Sequence, residues 1–246
     1  YQSADTAVSI MLSGIVTKIA GVYSLLTLTR LFPGNAALKT TLIVLGLFTI
    51  VIGALLALAQ KNFKRVAAYS SVSQMGYILL SLAADTRLGL IAALIYLFTH
   101  SMAKSALFTN AAALEKQLGT LDIDEMGGLQ GRMPTTAFSS VCSLLSLAGV
   151  PPFAGFWSKL LLLIALWSAG LQGIAAAALL LSILSGAYLL MLQKKVFFGK
   201  LNERWSEVVE IRGGIRASEI LLTIGTIAVG LAFPLILSYL SHAGLI

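Results

Sequence analysis

Three lysines lie in the middle of long runs of apolar residues. These are Lys18, Lys104 and Lys159, and His100 precedes Lys104 by one helical turn. A charged side chain at the centre of a membrane helix costs roughly 2.5–3.5 kcal/mol on insertion scales. Desolvation and mutual repulsion bring the ammonium and amine forms closer in energy, so a buried lysine can take and give protons. Histidine titrates near neutral pH without help. Together these residues predict a proton relay.

Each of these residues also has a simpler interpretation. A lysine near a helix end can extend its ammonium group to the lipid headgroups. Lys159 is the best candidate for this, since Lys18 and Lys104 lie about eleven and sixteen residues into their predicted spans. His100 can serve only as a hydrogen-bond partner of a neighbouring helix. Four further polar residues are as consistent with contacts between helices as with lining water: Ser70, Ser71, Ser73 and Gln74.

A proline-rich segment interrupts the apolar run that contains Lys159. Prolines lack the backbone N–H, and their rings crowd the preceding turn, so a helix over 135–167 is predicted to break at 149–155. Four residues form the predicted hinge: Gly149, Pro151, Pro152 and Gly155. The prolines alone would be consistent with a simple kink. Broken backbone at membrane depth is otherwise tolerated where it is buried in protein or lines a watery cavity, and the nearby Lys159 favours that interpretation.

The composition excludes most other classes of protein. Of 246 residues, 58% are hydrophobic and 11% are charged, with a mean hydropathy of +0.91, whereas soluble domains are about 25% charged. An integral membrane protein in a lipid bilayer is therefore expected. One cysteine and two histidines exclude a Cys/His metal cluster. No nucleotide fingerprint is present, so neither a cofactor nor a catalytic centre is predicted. The net charge of +7 lies in short loops, which argues against nucleic acid binding.

The hydropathy pattern predicts one membrane domain over 1–246, all-α and polytopic, with about seven transmembrane helices. The predicted helices are 7–28, 40–58, 66–84, 88–114, the broken 135–167, 174–192 and 218–240. An amphipathic surface helix around Trp205 is expected in the last connector. All ten acidic residues are expected to lie outside the centres of the spans. The chain opens on Tyr1 with no recognisable signal peptide, which suggests a processed N-terminus or part of a longer chain.

The basic residues are unevenly divided between the two sets of loops. Loops after the second, fourth and sixth helices hold eleven Lys and Arg residues, whereas those after the first, third and fifth hold three. Basic loops favour the cytoplasmic side. This pattern predicts a C-terminus that faces outside. The expected location is the inner or plasma membrane of a prokaryotic cell.

Three motifs in the same chain resemble those of a known family. Residues 64–77 read KRVAAYSSVSQMGY, residues 100–108 read HSMAKSALF, and residues 149–159 read GVPPFAGFWSK. They resemble the KRxxAYSSxxxxGY, HxxxKxxLF and GxPPxxGFxSK segments of the antiporter-like subunits. Such subunits occur in respiratory complex I, in multisubunit Mrp-type Na⁺/H⁺ antiporters and in membrane-bound hydrogenases. The motifs are in the family order and cover most of the chain.

The resemblance implies a fold and a role for each buried amine. The family has about fourteen helices with two inverted five-helix repeats, each with one broken helix. The first helix here would match the family's eighth, and the next five the second repeat. Lys18 would bridge two half-channels, His100 and Lys104 would continue the axis, and Lys159 would end it on the broken helix. The family's first repeat has no counterpart in the sequence, which therefore resembles a C-terminal half.

Three functions remain open at this stage. The first is a subunit that translocates protons, or exchanges Na⁺ for protons, with further antiporter-like subunits and a redox or hydrogenase module as partners. The second is a structural or assembly subunit of such a complex that does not transport. The third is a stand-alone transporter of a small solute, which would require a substrate cavity at the middle of the spans.

Overall fold

The structure, a computed structural model, describes residues 6–12, 16–242 and 244. Its regular elements are nine α-helices and two short 3-10 turns within these residues. The helices are α1 (Thr6–Met11), α2 (Thr17–Leu31), α3 (Ala36–Leu58), α4 (Phe63–Ala83), α5 (Arg87–Leu118), α6 (Pro134–Ala148), α7 (Ala154–Ser168), α8 (Gln172–Val196) and α9 (Gly214–His242). The all-α prediction is confirmed.

Five of these helices are long and apolar enough to cross a membrane, namely α3, α4, α5, α8 and α9. Helices α6 and α7 are shorter and follow one another along the chain, as expected for two halves of a broken span. The region predicted as the first helix, 7–28, overlaps α1 and α2, which extend slightly beyond it at either end. Part of it, residues 13–15, lies outside the described residues.

Several helices begin earlier than the hydropathy pattern predicted, because a polar side chain caps each of them. Asn35 accepts a hydrogen bond from the Leu38 amide at 3.0 Å, so α3 begins at Ala36 rather than at 40. Asn62 accepts one from the Arg65 amide at 3.2 Å, so α4 begins at Phe63 rather than at 66. Thr86 caps α5 in the same way. A side-chain cap satisfies a backbone donor that the first helical turn leaves free.

Helix α5 lies at the centre of the bundle. It packs against α1, α2, α4, α6, α7 and α9. Its buried positions are mostly small or polar, including Ala103, Ala106 and Asn110, which lets neighbouring backbones approach closely. Residues on α5 therefore contact most of the other elements, and this helix carries both His100 and Lys104.

The three basic loops meet on one face of the molecule. The Phe63 amide donates to the Leu121 carbonyl at 2.9 Å, and the Gly128 amide donates to that of Phe198 at 3.2 Å. Trp205 lies in a 3-10 turn rather than in the expected amphipathic helix. Its side chain is buried and its indole Nε1 donates to the Glu125 carbonyl at 2.9 Å, so a specific loop contact replaces the surface helix.

Candidate functional site

The break between α6 and α7 is short and closely packed. Helix α6 ends at Ala148, and Gly149 adopts a left-handed conformation with φ +84°. The Val150 amide donates to the Leu145 carbonyl at 3.0 Å, which closes the end of the helix. Helix α7 begins at Ala154, so the non-helical stretch is 149–153 rather than the predicted 149–155. Gly155 is therefore helical, and a side chain there would overlap the Ser146 carbonyl oxygen.

Lys159 reaches back from α7 to the broken end of α6. Its Nζ donates to the Ala148 carbonyl at 2.9 Å and lies 5.0 Å from the centre of the Tyr77 ring. The last carbonyls of a helix have no partner within it, and they form the negative end of the helix dipole. The ring face of Tyr77 adds a second electron-rich surface. The break thus supplies a binding position for an ammonium group without any carboxylate.

Lys104 is fully buried on α5 and faces the polar start of α4. Its Nζ donates to the Ala67 carbonyl at 2.8 Å and also to the Ser70 hydroxyl. Both partners are neutral oxygens. Lys104 can therefore keep its hydrogen bonds as an amine or as an ammonium group, because either form has N–H groups to donate.

His100 lies one turn before Lys104 on α5 and lines a small cavity together with Lys159. Both of its ring nitrogens are buried and make no hydrogen bond within the described residues. The cavity is bounded by Gln74, His100, Ser146, Ser158 and Lys159, among others, and its volume is about 10 Å³. That is room for about one water molecule. A water there would join the imidazole of His100 to the polar groups around Lys159.

Lys18 approaches the same region from α2. Its side chain is buried, and its Nζ makes no hydrogen bond to the part of the chain that the structure describes. It lines a cavity of about 350 Å³ with Ser71 and Met75 of α4. Lys18, Lys104 and Lys159 each interact electrostatically with His100. The structure therefore places the four predicted relay residues in one electrostatic cluster.

The polar residues of α4 divide between two environments. Ser70 contacts Lys104, whereas Ser71 bonds only the Ala67 carbonyl of its own helix, at 3.2 Å. Ser73 donates across to the Ile50 carbonyl of α3 at 3.0 Å, which is a contact between helices. Gln74 alone of the four lines the cavity with His100.

A group of tyrosines completes the site, and sequence reasoning missed it. Tyr96 donates to Gln74 Oε1 at 2.6 Å, and Gln74 Nε2 donates to Tyr188 at 3.0 Å and to Ser185 at 3.2 Å. Tyr77 and Tyr96 stack with ring centres 5.9 Å apart. Tyr77 is the last residue of the KRVAAYSSVSQMGY motif, so the motif could have pointed to this tyrosine. Nothing in the apolar run of α8 pointed to Ser185 or Tyr188.

Two charged residues near helix starts are buried. Lys64 was expected in a loop, but it lies in the first turn of α4, where its Nζ is 2.6 Å from Glu115 Oε2. Glu219 was expected outside the centres of the spans, and it lies in the second turn of α9, where it is fully buried. An early helix start buries the first, and close packing of α9 against α5 and α6 buries the second.

Comparison with known proteins decides the family. The family described as "NADH:quinone oxidoreductase/Mrp antiporter, TM" matches residues 1–185, which is most of the chain. The chain belongs to this family. The resemblance that the three motifs indicated is therefore confirmed, together with an integral membrane location.

Relatives and solved structures agree with this membership. The chain is 36% identical over 187 residues to a Na⁺/H⁺ antiporter subunit of Alkalihalophilus pseudofirmus, a match that covers 75% of this chain and 38% of that protein. It is 35% identical over 233 residues to an NADH-quinone oxidoreductase subunit of Azobacteroides pseudotrichonymphae, covering 94% and 48%. The chain thus spans less than half the length of these relatives.

The fold is shared with subunits of larger assemblies. A chain of the Mrp complex from Dietzia superposes with a TM-score of 0.85 at 30% identity, over 94% of this chain and 51% of that one. A chain of the membrane-bound sulfane sulfur reductase, an archaeal respiratory membrane complex, superposes with a TM-score of 0.87 at 30% identity, over 94% and 40%.

Proposed function

We propose that this chain translocates protons, or exchanges Na⁺ for protons, as an antiporter-like subunit or its C-terminal part within a larger membrane complex. The observation that carries the proposal is the cluster of three buried lysines and one buried histidine, none of which forms an ion pair within the described residues. Lys104 and Lys159 each have carbonyl or hydroxyl partners, and Lys18 and His100 have none within the described residues. Such groups can change charge without breaking an ion pair.

The relay runs from Lys18 through Lys104 and His100 to Lys159. Each amine accepts a proton from the preceding member and passes it on through water, so no covalent bond between heavy atoms changes. The cavity at His100 has room for about one water at the last step. The two hinge prolines and Gly149 hold the Ala148 carbonyl where it can bind the Lys159 ammonium group.

The energy for transport comes from partner subunits. We infer further antiporter-like subunits and a redox or hydrogenase module, on the basis of the assemblies in which the relatives and structural neighbours occur. The host membrane is proposed to be the inner or plasma membrane of a prokaryotic cell. The contacts among the three basic loops support a common cytoplasmic side for them, and hence a C-terminus outside.

The test is proton transport by the complete complex reconstituted in liposomes. Lys104→Ala and Lys159→Ala are each expected to lower the initial pumping rate about tenfold or more, because general acid–base groups contribute large factors to proton transfer. Lys116→Ala, at an exposed position in the last turn of α5, is the matched control. Normal pumping in both buried variants would favour the structural or assembly subunit.

A further inference from the structure

A carboxyl group lies inside the bundle near the basic loops, outside the relay described above. Glu219 is fully buried in α9. Thr136 Oγ1 of α6 lies 3.2 Å from Glu219 Oε2. Asn110 of α5 contacts the other carboxyl oxygen: with its NH₂ group assigned toward Glu219, it donates to Oε1 at 2.9 Å and to Ser139 at 3.1 Å. Three helices therefore converge on this carboxyl group.

The Thr136 hydroxyl brings two carboxyl groups together. Thr136 Oγ1 lies 2.9 Å from Glu210 Oε1 as well as 3.2 Å from Glu219 Oε2. A hydroxyl group has one hydrogen to donate and lone pairs that accept. Two carboxylates must share this one hydrogen in a three-centre bond, whereas two full hydrogen bonds form when one carboxyl group is protonated and donates to the hydroxyl. Glu210 and Arg216 are the charged groups that interact with Glu219.

A row of buried hydroxyl groups leads from Glu219 to the His100 cavity. The row lies on α6 at helical spacing, and all its members are less than 2% exposed: Thr136, Ser139, Ser143 and Ser146. It covers about 15 Å at roughly 1.5 Å per residue. At its inner end, Ser146 lines the cavity together with His100 and Lys159. At the Thr136 end of the row, Glu210 accepts a hydrogen bond from the Thr135 amide at 2.5 Å and is only partly buried.

Unpaired polar atoms beside the row indicate places for water. Thr223 lies one turn from Glu219 on α9, and its hydroxyl has no hydrogen-bond partner among the described residues. The same holds for Nε2 of Gln193, whose Oε1 accepts from Ser140 at 2.9 Å. Buried polar groups are nearly always satisfied by protein or water. Hydroxyls one turn apart are separated by about 5–6 Å between Cβ atoms, a gap that one water bridges.

We propose that Glu219 is a proton-binding site that connects the Glu210 side of the membrane to the His100 cavity along the α6 row. This inference rests on the proposed proton translocation. The Glu219 carboxylate takes a proton from water near Glu210 and becomes a carboxylic acid. It then gives that proton to the water and hydroxyl chain, in which each oxygen accepts one proton and releases another. The proton reaches the amine of Lys159 or the imidazole of His100, and Glu219 returns to a carboxylate.

The experiment measures proton uptake by the reconstituted complex as a function of pH. Glu219→Gln keeps the size and the hydrogen bonds but cannot ionise, and we expect it to pump about tenfold more slowly. Glu219→Asp should restore much of the rate with a displaced pH profile. Glu207→Gln, an exposed carboxylate of the preceding loop, is the matched control and should pump normally. Lys159→Ala is measured in parallel.

The outcomes separate the two proposals. Normal pumping by Glu219→Gln beside a slow Lys159→Ala would overturn the Glu219 site and leave the relay intact. Normal pumping by both would overturn the relay as well. If Glu219→Gln fails to assemble, infrared difference spectra of the wild-type complex between alkaline and neutral pH decide the question. A carboxylic C=O band that Glu219→Asp shifts supports the site, and an identical spectrum in Glu219→Asp overturns it.

Discussion

Cations in the interior of the bundle and cations in the loops are held in opposite ways. In the loops Arg204 pairs with Glu125 and Asp124 with two lysines, and at the adjoining helix ends Lys64 of α4 pairs with Glu115 of α5. In the middle of the bundle, Lys104 and Lys159 contact carbonyl, hydroxyl and ring groups, and the described residues give neither of them, nor Lys18, an ion pair. An ion pair fixes a charge, since removing the proton leaves the partner's charge uncompensated. A neutral partner accepts a hydrogen bond from either form of the amine.

The comparison explains how buried lysines can be tolerated without becoming inert. The ammonium form is disfavoured by burial, and carbonyl dipoles offset part of that cost. The broken helix supplies one such dipole at Ala148, and the polar start of α4 supplies another at Ala67. Helix ends and serine-rich turns therefore perform inside the bundle the role that carboxylates perform in the loops.

The largest effect on stability is expected at Gly149, whose backbone lies against the side chain of Lys159. Gly149→Ala places a Cβ at φ +84°, with Cδ of Lys159 only 2.7 Å away. We expect the free energy of unfolding to fall by about 2–4 kcal/mol, since a left-handed non-glycine residue costs about 1–3 kcal/mol and overpacking adds to that cost. The measurement is thermal unfolding of the purified protein in detergent.

The control for this variant lies at the other end of α7. Gly170 also has a positive φ, +76°, but a Cβ there would meet open space. Gly170→Ala should therefore show the backbone strain without the clash with Lys159. Equal melting temperatures for the two variants would mean that the Lys159 side chain does not depend on Gly149.

A smaller effect is expected from the hydroxyl partner of Lys104. Ser70→Ala removes a hydrogen bond to the buried Lys104 Nζ, and hydrogen bonds to charged groups contribute about 1.5–3 kcal/mol. Ser71→Ala removes a hydroxyl that bonds only its own helix, so it should change stability by a few tenths of a kcal/mol. The difference in melting temperature between these adjacent variants measures the Lys104 contact. No difference would show that the Ala67 carbonyl alone holds this amine.

The smallest effect is expected at the loop ion pairs. Hydrogen bonds from Lys195 and Lys61 hold the pKa of Asp124 below its ordinary value. Its contribution to stability is therefore complete above the unfolded pKa of about 3.9 and is lost as pH falls through the lower folded pKa. Asp124→Asn should lower the melting temperature at neutral pH by at most about 2 °C, because exposed ion pairs contribute little.

The pH dependence provides the check on this last prediction. The difference between Asp124→Asn and wild type should be constant from neutral pH down to about pH 4 and should vanish in stronger acid. High salt should reduce it, since exposed charges are screened. Glu207→Gln, for which the described residues give no ion pair, is the control at each pH. A difference that persists in acid would contradict the electrostatic origin.

Much of the architecture could be predicted from local chemistry. The mean hydropathy, the break at Pro151 and Pro152 and the order of the spans follow from which residues can be helical and which must leave water. The starts of the helices were predicted less well, because Asn35 and Asn62 extend α3 and α4 through cap hydrogen bonds that hydropathy does not register. The loops were predicted least well, as Trp205 shows.

The sequence by itself determined that this chain is a polytopic helical membrane protein with amines at costly positions and one broken span. Its three motifs also indicated the family to which it belongs. Only the tertiary structure decided what surrounds those amines, because hydrogen-bond partners come from helices far apart in the chain. It brought Ala148 to Lys159, Ala67 to Lys104, and Asn110, Thr136 and Glu219 together. The sequence near a helix start does not distinguish an exposed carboxylate from a buried one. Only the packing of the helices decides which of the two it is.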